Sequence, residues 1–164
     1  MNLSAEMLIE RLGLEPLPDE GGYFRETYRA VARVEEKSWS TAIYYLITPQ
    51  QFSTLHRLPA DEVWHFYLGD PVVQLRLTEG DGEAHEFVLG QDVFARPTQF
   101  LQTTVPAGVW QGTRLAAGGK FALLGTTMAP GFDFEDLELG DLEKLCHQFP
   151  HHSSLIRTYT RTEL

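Results

Sequence analysis

The chain has 164 residues, 43% of them hydrophobic and 12% aromatic, which suits one domain with a substantial core. Its net charge of −10, from 23 acidic against 13 basic residues, argues against a nucleic-acid backbone or an anionic membrane as the main partner, though one or two local arginines could still hold a small anionic ligand. The single Cys146 allows no internal disulfide, and neither a leader-like apolar segment nor an apolar run of membrane length occurs, so a soluble, cytoplasmic protein is expected.

In chain order, Ser4 is placed to cap a short helix with an apolar face of Met7, Leu8, Leu12 and Leu14, stopped by Gly13. Leu14 to Gly22 carries two prolines and two glycines and reads as a connector into a strand from Tyr23 to Arg33. There Tyr23, Arg25 and Thr27 alternate with Phe24, Glu26 and Tyr28. Ser40 to Ile47 is β-branched and aromatic with no breaker before Pro49, the strongest strand pattern in the chain. Strands at 52–57, 62–68 and 72–77 follow, the last turning through Gly80-Asp81-Gly82 into Glu83–Leu89. Further strands are expected at Thr98–Val105, Trp110–Leu115 and Phe121–Thr127. Short strands at near-regular spacing, with Gly/Pro turns and no alternating helices, predict an all-β, closed or sandwiched antiparallel architecture. Beyond Pro130 the spacing becomes helical over Asp136–Phe149, and 150–164 reads as a polar, loosely ordered tail or partner-facing arm. The expected division within one domain is thus 1–20 helix and connector, 21–130 barrel, and 131–164 helix and tail.

Chemistry concentrates between Phe52 and Asp70. His56 ends one apolar run, a Pro59-Ala60-Asp61 turn follows, and the next strand carries Glu62, Trp64 and His65. Imidazole and carboxylate on adjacent strands can exchange protons, bind a metal or hold a ligand. Strict alternation puts Glu62 with Trp64 and Phe66 on one face, and His65 with Val63 and Tyr67 on the other. No GxSxG elbow, phosphate-loop motif, GxGxxG fingerprint or CxxC pair occurs.

The spacing of these residues resembles the cupin superfamily. In its first motif His56, Glu62 and Gly69 stand at the expected places, with Leu58 where a second histidine would be. Its second motif is similar to Pro106-Ala107-Gly108-Val109-Trp110-Gln111, with Gln111 in place of histidine. A more specific resemblance, to a small cupin family of unassigned function sometimes called cupin five, runs through GGYFRETYR (21–29), TAIYYL, LHRLPADEVWHFYLGDP, VPAGVWQG and APGFDFEDLELG (129–140). A weaker one links Gly21–Glu26 and Ser53–His56 to the epimerase cupins that invert carbons of nucleotide-linked keto sugars, although Gly21 and Ser53 replace the arginines that open those motifs.

The resemblance implies an antiparallel jelly-roll barrel with short N- and C-terminal helices, commonly paired as a homodimer. Trp39, Tyr44, Tyr45 and Phe52 are expected near that contact. It also implies a barrel site in which His56 and Glu62 act as base and orienting carboxylate. A small-molecule ligand, sugar- or nucleotide-like, would be held by Tyr23, Phe24, Arg25, Glu26, Trp64, His65, Trp110 and Gln111. His56, Glu62 and Gln111 would form a weak site for a divalent ion such as Zn, Mn, Fe or Ni. Three functions remain open: a small-molecule-binding enzyme acting by proton transfer or weak metal assistance, a metal-dependent oxygenase or isomerase, and a non-catalytic binding protein.

Overall fold

The computed structural model describes residues 3–160; Met1, Asn2 and the 161–164 end of the expected tail lie outside the described residues. Helix α1 (Ala5–Leu12) opens on Ser4, whose Oγ accepts from the Met7 amide at 3.4 Å. It ends at Gly13, whose φ of 61° is a left-handed conformation that costs glycine no Cβ clash. Its buried stripe is Ala5, Leu8, Ile9 and Leu12, the i, i+3, i+4, i+7 set; Met7 falls off that stripe and is 38% exposed.

The strands are β1 (Glu15–Pro16), β2 (Tyr23–Arg29), β3 (Arg33–Val34), β4 (Lys37–Ser38), β5 (Thr41–Ile47), β6 (Ser53–Arg57), β7 (Glu62–Gly69), β8 (Val72–Thr78), β9 (Glu83–Leu89), β10 (Gln99–Phe100), β11 (Gln102–Val105), β12 (Trp110–Leu115), β13 (Ala122–Met128) and β14 (Glu138–Leu139). They form two six-stranded sheets, β1-β2-β5-β13-β7-β11 and β10-β9-β8-β12-β6-β14, with β3 and β4 as a separate small hairpin. Numbering the eight central strands one to eight, from β5 to β13 with β10 left out, the sheets run 1-8-3-6 and 5-4-7-2. That order is a jelly roll, two interleaved Greek keys. The sheets face one another without joining into a continuous ring. Pairing is antiparallel throughout except for the short β9–β10 contact, which is parallel.

Four boundaries depart from the sequence pattern, because tertiary packing overrides local propensity. The expected strand from Tyr23 to Arg33 stops at Arg29, and Arg33 instead opens the separate β3–β4 hairpin opposite Ser38. The expected strand at 98–105 is divided between the sheets: β10 joins β9, β11 joins β7, and the Leu101 carbonyl between them accepts from the Phe66 amide at 2.8 Å. The expected helix from Asp136 begins only at Leu142, as α2 (Leu142–Gln148), because Glu138 and Leu139 extend the second sheet beside β6. Asp141 then caps it, accepting from the Lys144 amide at 2.9 Å. The supposedly loose tail is ordered over its described part, as a 3-10 turn at Pro150–His152 followed by α3 (Ser153–Thr158).

Both sheets are covered on both faces. The inter-sheet core includes Tyr45, Ile47, Trp64, Phe66, Val72, Leu89 and Leu124. The N-terminal helix closes the outer face of the first sheet over Leu46, Phe121 and Leu123. The C-terminal helices close the outer face of the second with Leu145, Phe149, Ile156 and Tyr159 on Leu55, Leu75, Leu77 and Trp110. Among the described residues no helix is long and apolar enough to cross a membrane. Because Phe149 is 1% exposed at the centre of that outer cluster, Phe149→Ala should cost about 3–5 kcal/mol in chemical denaturation. A loss within measurement error would return the C-terminal segment to the status of a loose arm.

Candidate functional site

On β7 the alternation sends Glu62, Trp64 and Phe66 into the inter-sheet space, and on β12 it sends Gln111 toward them and Trp110 away. Glu62 Oε2 accepts from Gln111 Nε2 at 2.8 Å and from Trp64 Nε1 at 3.1 Å. The same indole N–H also donates to Gln111 Oε1 at 3.0 Å, closing a three-residue ring. The amide orientation follows from chemistry, since a carboxylate only accepts and an indole N–H only donates. Burial raises the Glu62 pKa above its ordinary value; the neighbouring His56 pulls it down, Glu20 pushes it up, and hydrogen bonds from Thr126 and Gln111 pull it down, with burial prevailing.

His56 reaches the interior through a β-bulge. Gln111 pairs with His56 and Thr113 with Ser53, so β6 carries one extra residue over that interval. Ser53 and His56, three apart, both approach Glu20, whereas Leu55 packs under the C-terminal helices. His56 Nδ1 lies 2.8 Å from the Thr54 carbonyl, which can only accept, so Nδ1 carries a proton. Glu20 Oε1 is 3.8 Å from the same nitrogen and accepts from Ser53 Oγ at 2.7 Å, while the Tyr45 hydroxyl, 3.4 Å away, donates its proton to the Gly21 carbonyl at 2.6 Å. Glu20 did not emerge from the sequence reading. It sits in the proline- and glycine-rich connector, where no strand or helix period assigns a side chain to a face.

A cavity of about 100 Å³ lies against this cluster, with Glu20, Tyr45, Glu62, Trp64 and Thr126 on its inner wall and Phe24, Ile43 and Leu58 among its apolar lining. It reaches the surface where Glu26, Arg29, Phe132, Asp133 and Phe134 line it. Arg29 spans this mouth: Nε and Nη2 each donate to Glu26 at 2.9 Å, Nη1 to Asp133 at 3.2 Å and Nη2 to the Phe132 carbonyl at 2.7 Å.

Of the residues singled out from sequence, Phe24, Glu26, Glu62 and Trp64 line the cavity, while His56 and Gln111 stand behind its wall, each 1% exposed. Four others lie elsewhere. Tyr23 and Arg25 point to the outer face of the first sheet, Tyr23 against the N-terminal helix cluster and Arg25 with its guanidinium 5.6 Å from the Tyr44 ring centre. His65 is on that face too, as alternation requires, 3.1 Å from Thr127 Oγ1 and stacked on Tyr67. Trp110 packs beneath the C-terminal helices with the Arg57 guanidinium over its ring at 4.6 Å.

The donor set does not fit a divalent ion held by His56, Glu62 and Gln111. Gln111 turns its carbonyl to the Trp64 N–H and its amide nitrogen to Glu62, and no three His, Cys, Asp or Glu side chains among the described residues converge as ligands. Glu62 Oε2 and Gln111 Oε1 are both already committed to protein donors.

The raised pKa carries a sign. A carboxyl with a folded-state pKa above its ordinary 4.5 adds stability that is fully present below that value and is lost as pH rises through the folded pKa. Glu62→Gln keeps an acceptor for Gln111 and Trp64 but removes the ionisation. The variant should therefore gain stability relative to the wild type as pH increases from about 5 to about 8, read by urea denaturation at each pH. A difference constant across that range would show that Glu62 is not held up by burial.

The family model described as Cupin_5, Cupin superfamily (DUF985), matches residues 6–140. A hypothetical protein from Leishmania major is 32% identical with a TM-score of 0.88, over 98% of this chain and 100% of that one. A protein from Shewanella oneidensis is also 32% identical, with a TM-score of 0.91 over 99% of this chain and all of that one. At 14% identity, oxalate decarboxylase from Bacillus subtilis shares the fold alone, with a TM-score of 0.57 over 92% of this chain and 38% of its own. Among curated proteins none matches. With the motifs at 21–29, 52–70 and 129–140 within or beside the matched span and two near-full-length relatives, the chain belongs to the Cupin_5 family of the cupin superfamily.

Proposed function

We propose that the protein binds a small polar molecule in the cavity between the sheets and moves a proton on it, with Glu62 as the acid–base group. One observation carries the reading: a fully buried carboxyl, raised in pKa and locked by Gln111 and Trp64, lies on the wall of a cavity that opens to the surface. General acid–base groups work best with a pKa near the operating pH, and burial is the means by which a carboxyl is moved there. Glu20 shares the wall, and His56 stands behind it, 3.8 Å from Glu20 Oε1 and acting on Glu62 electrostatically. Proton abstraction beside a carbonyl, the step with which an epimerase or isomerase begins, takes such a group as its base.

Size narrows the ligand. A space of about 100 Å³ is smaller than the roughly 150 Å³ engineered cavity that holds a benzene ring, so the enclosed part of the ligand has only a few carbons. A sugar-like fragment is compatible with that space; a nucleotide is not, unless most of it projects past Phe134. The test is hydrogen–deuterium exchange at carbon in D2O, followed by NMR, on three- and four-carbon hydroxycarbonyl compounds. Wild-type protein should accelerate exchange, and Glu62→Gln should slow it about a hundredfold or more. Equal rates in wild type and variant would remove Glu62 from the role.

Homodimerisation belongs to the same proposal, with a relocated contact. Tyr45 is 1% exposed inside the core and cannot reach a partner, whereas Trp39 is 56% exposed. Exposed apolar side chains gather beside the edge strands β10 and β11, namely Tyr67, Val93, Phe94, Phe100 and Leu101. Light scattering should return about twice the 18.6 kDa chain mass, and Phe94→Glu, at a side chain 87% exposed, should shift it toward monomer.

A further inference from the structure

We propose that the cavity selects a small organic cation, a protonated or methylated amine, over neutral and anionic molecules of the same size; the inference rests on the cavity being the ligand site.

The wall sets the sign. Four carboxylates, Glu20, Glu26, Glu62 and Asp133, line the cavity against a single guanidinium, Arg29. That guanidinium is spent: its donors go to Glu26, Asp133 and the Phe132 carbonyl, so it has little left to offer an anion. An anionic ligand would meet buried negative charge with no free counter-charge, and the cost of such an approach rises as water is excluded.

A second, independent feature is the Glu20 carboxylate itself. Its side chain is only 10% exposed. Oε1 takes the Ser53 hydroxyl at 2.7 Å, the Tyr45 hydroxyl being given to the Gly21 carbonyl, while Oε2 accepts no hydrogen bond from the described residues. A carboxylate oxygen open to the cavity is an acceptor for a ligand there, and an ammonium group brings donors together with the compensating charge. Aromatic side chains supply the rest of the enclosure. Tyr45 and Trp64 meet edge to face at 5.7 Å, and Phe132 and Phe134 do so at 5.3 Å, with Phe24 against Phe134 at 6.3 Å. Rings around a desolvated cation are attractive through their quadrupoles, most strongly for tryptophan. A neutral polyol could satisfy Glu20 but would leave the wall's charge uncompensated.

The experiment is calorimetric titration of the full chain with choline and with its uncharged isostere 3,3-dimethylbutan-1-ol. Choline should bind about tenfold tighter or better, and Glu20→Gln should erase most of that advantage, with a cooperative urea transition like that of the wild type showing that the variant is folded. The wild-type ratio alone decides if the variant does not fold. An alcohol that binds as tightly as choline overturns cation selection but leaves the cavity standing as a ligand site. If neither binds, the proposal also falls, and glyceraldehyde binding that is lost in Ile43→Trp, which fills the cavity, shows whether the underlying reading survives it.

Discussion

A carboxylate held between two sheets organises this molecule. Glu62 leaves water on folding, and a charge or a lone pair placed there is tolerated only with donors close by. One donor comes from its own strand two residues on, the Trp64 indole, and the other from the facing sheet, the Gln111 amide. Because the Gln111 carbonyl in turn takes the indole N–H, the three groups satisfy each other and fasten the first sheet to the second. Removing either donor would leave the carboxylate short by a hydrogen bond, a loss on the order of 1–3 kcal/mol for a buried group. The same arrangement that makes the residue tolerable also holds it in one orientation toward the cavity.

The rest of the interior is graded around that fastening. At one end the sheets meet through Ile47, Phe66, Val72, Leu89, Ala122 and Leu124, all buried and apolar. At the other, β6, β12 and β8 present two cross-strand rows, His56–Gln111–Arg76 and Ser53–Thr113–Gln74. Arg76 has its donors on Gln74 Oε1 and the Thr104 carbonyl and its guanidinium 4.1 Å from the Phe87 ring centre. Burial lowers its pKa. The bulge in β6 is the local device that brings Ser53 and His56 to the same side; in a regular strand, residues three apart face opposite ways.

The mouth depends on weaker forces. Arg29 and its carboxylate partners are about one-third exposed, where a single ion pair contributes little. Two acceptors on that guanidinium, Asp133 and the Phe132 carbonyl, nevertheless tie β2 to the segment carrying Phe132 and Phe134, Glu26 braces it from its own strand, and Lys37 adds ion pairs to Asp136 and Asp133 beside it. The aromatic wall is therefore held by a network at the surface, while the acidic wall is held by buried hydrogen bonds.

The amino-acid order by itself determined the strands and their spacing, the caps at Ser4 and Gly13, the family, and the fact that Glu62, Trp64 and Phe66 share one face. Period-two alternation makes such a grouping a local property. It could also bring Gln111 toward Glu62, through the turn at Pro106 to Gly108. Which face of a strand is interior was decided only by the tertiary structure. Helices cover both outer faces, so apolar residues occur on both sides of most strands and hydrophobicity cannot tell Tyr23 from Phe24, or Trp110 from a cavity wall. Glu20 was invisible for a related reason: in an irregular connector no period relates a side chain to the core, and only the close packing of Ser53, Tyr45 and His56 around it turns an ordinary acidic residue into part of the site.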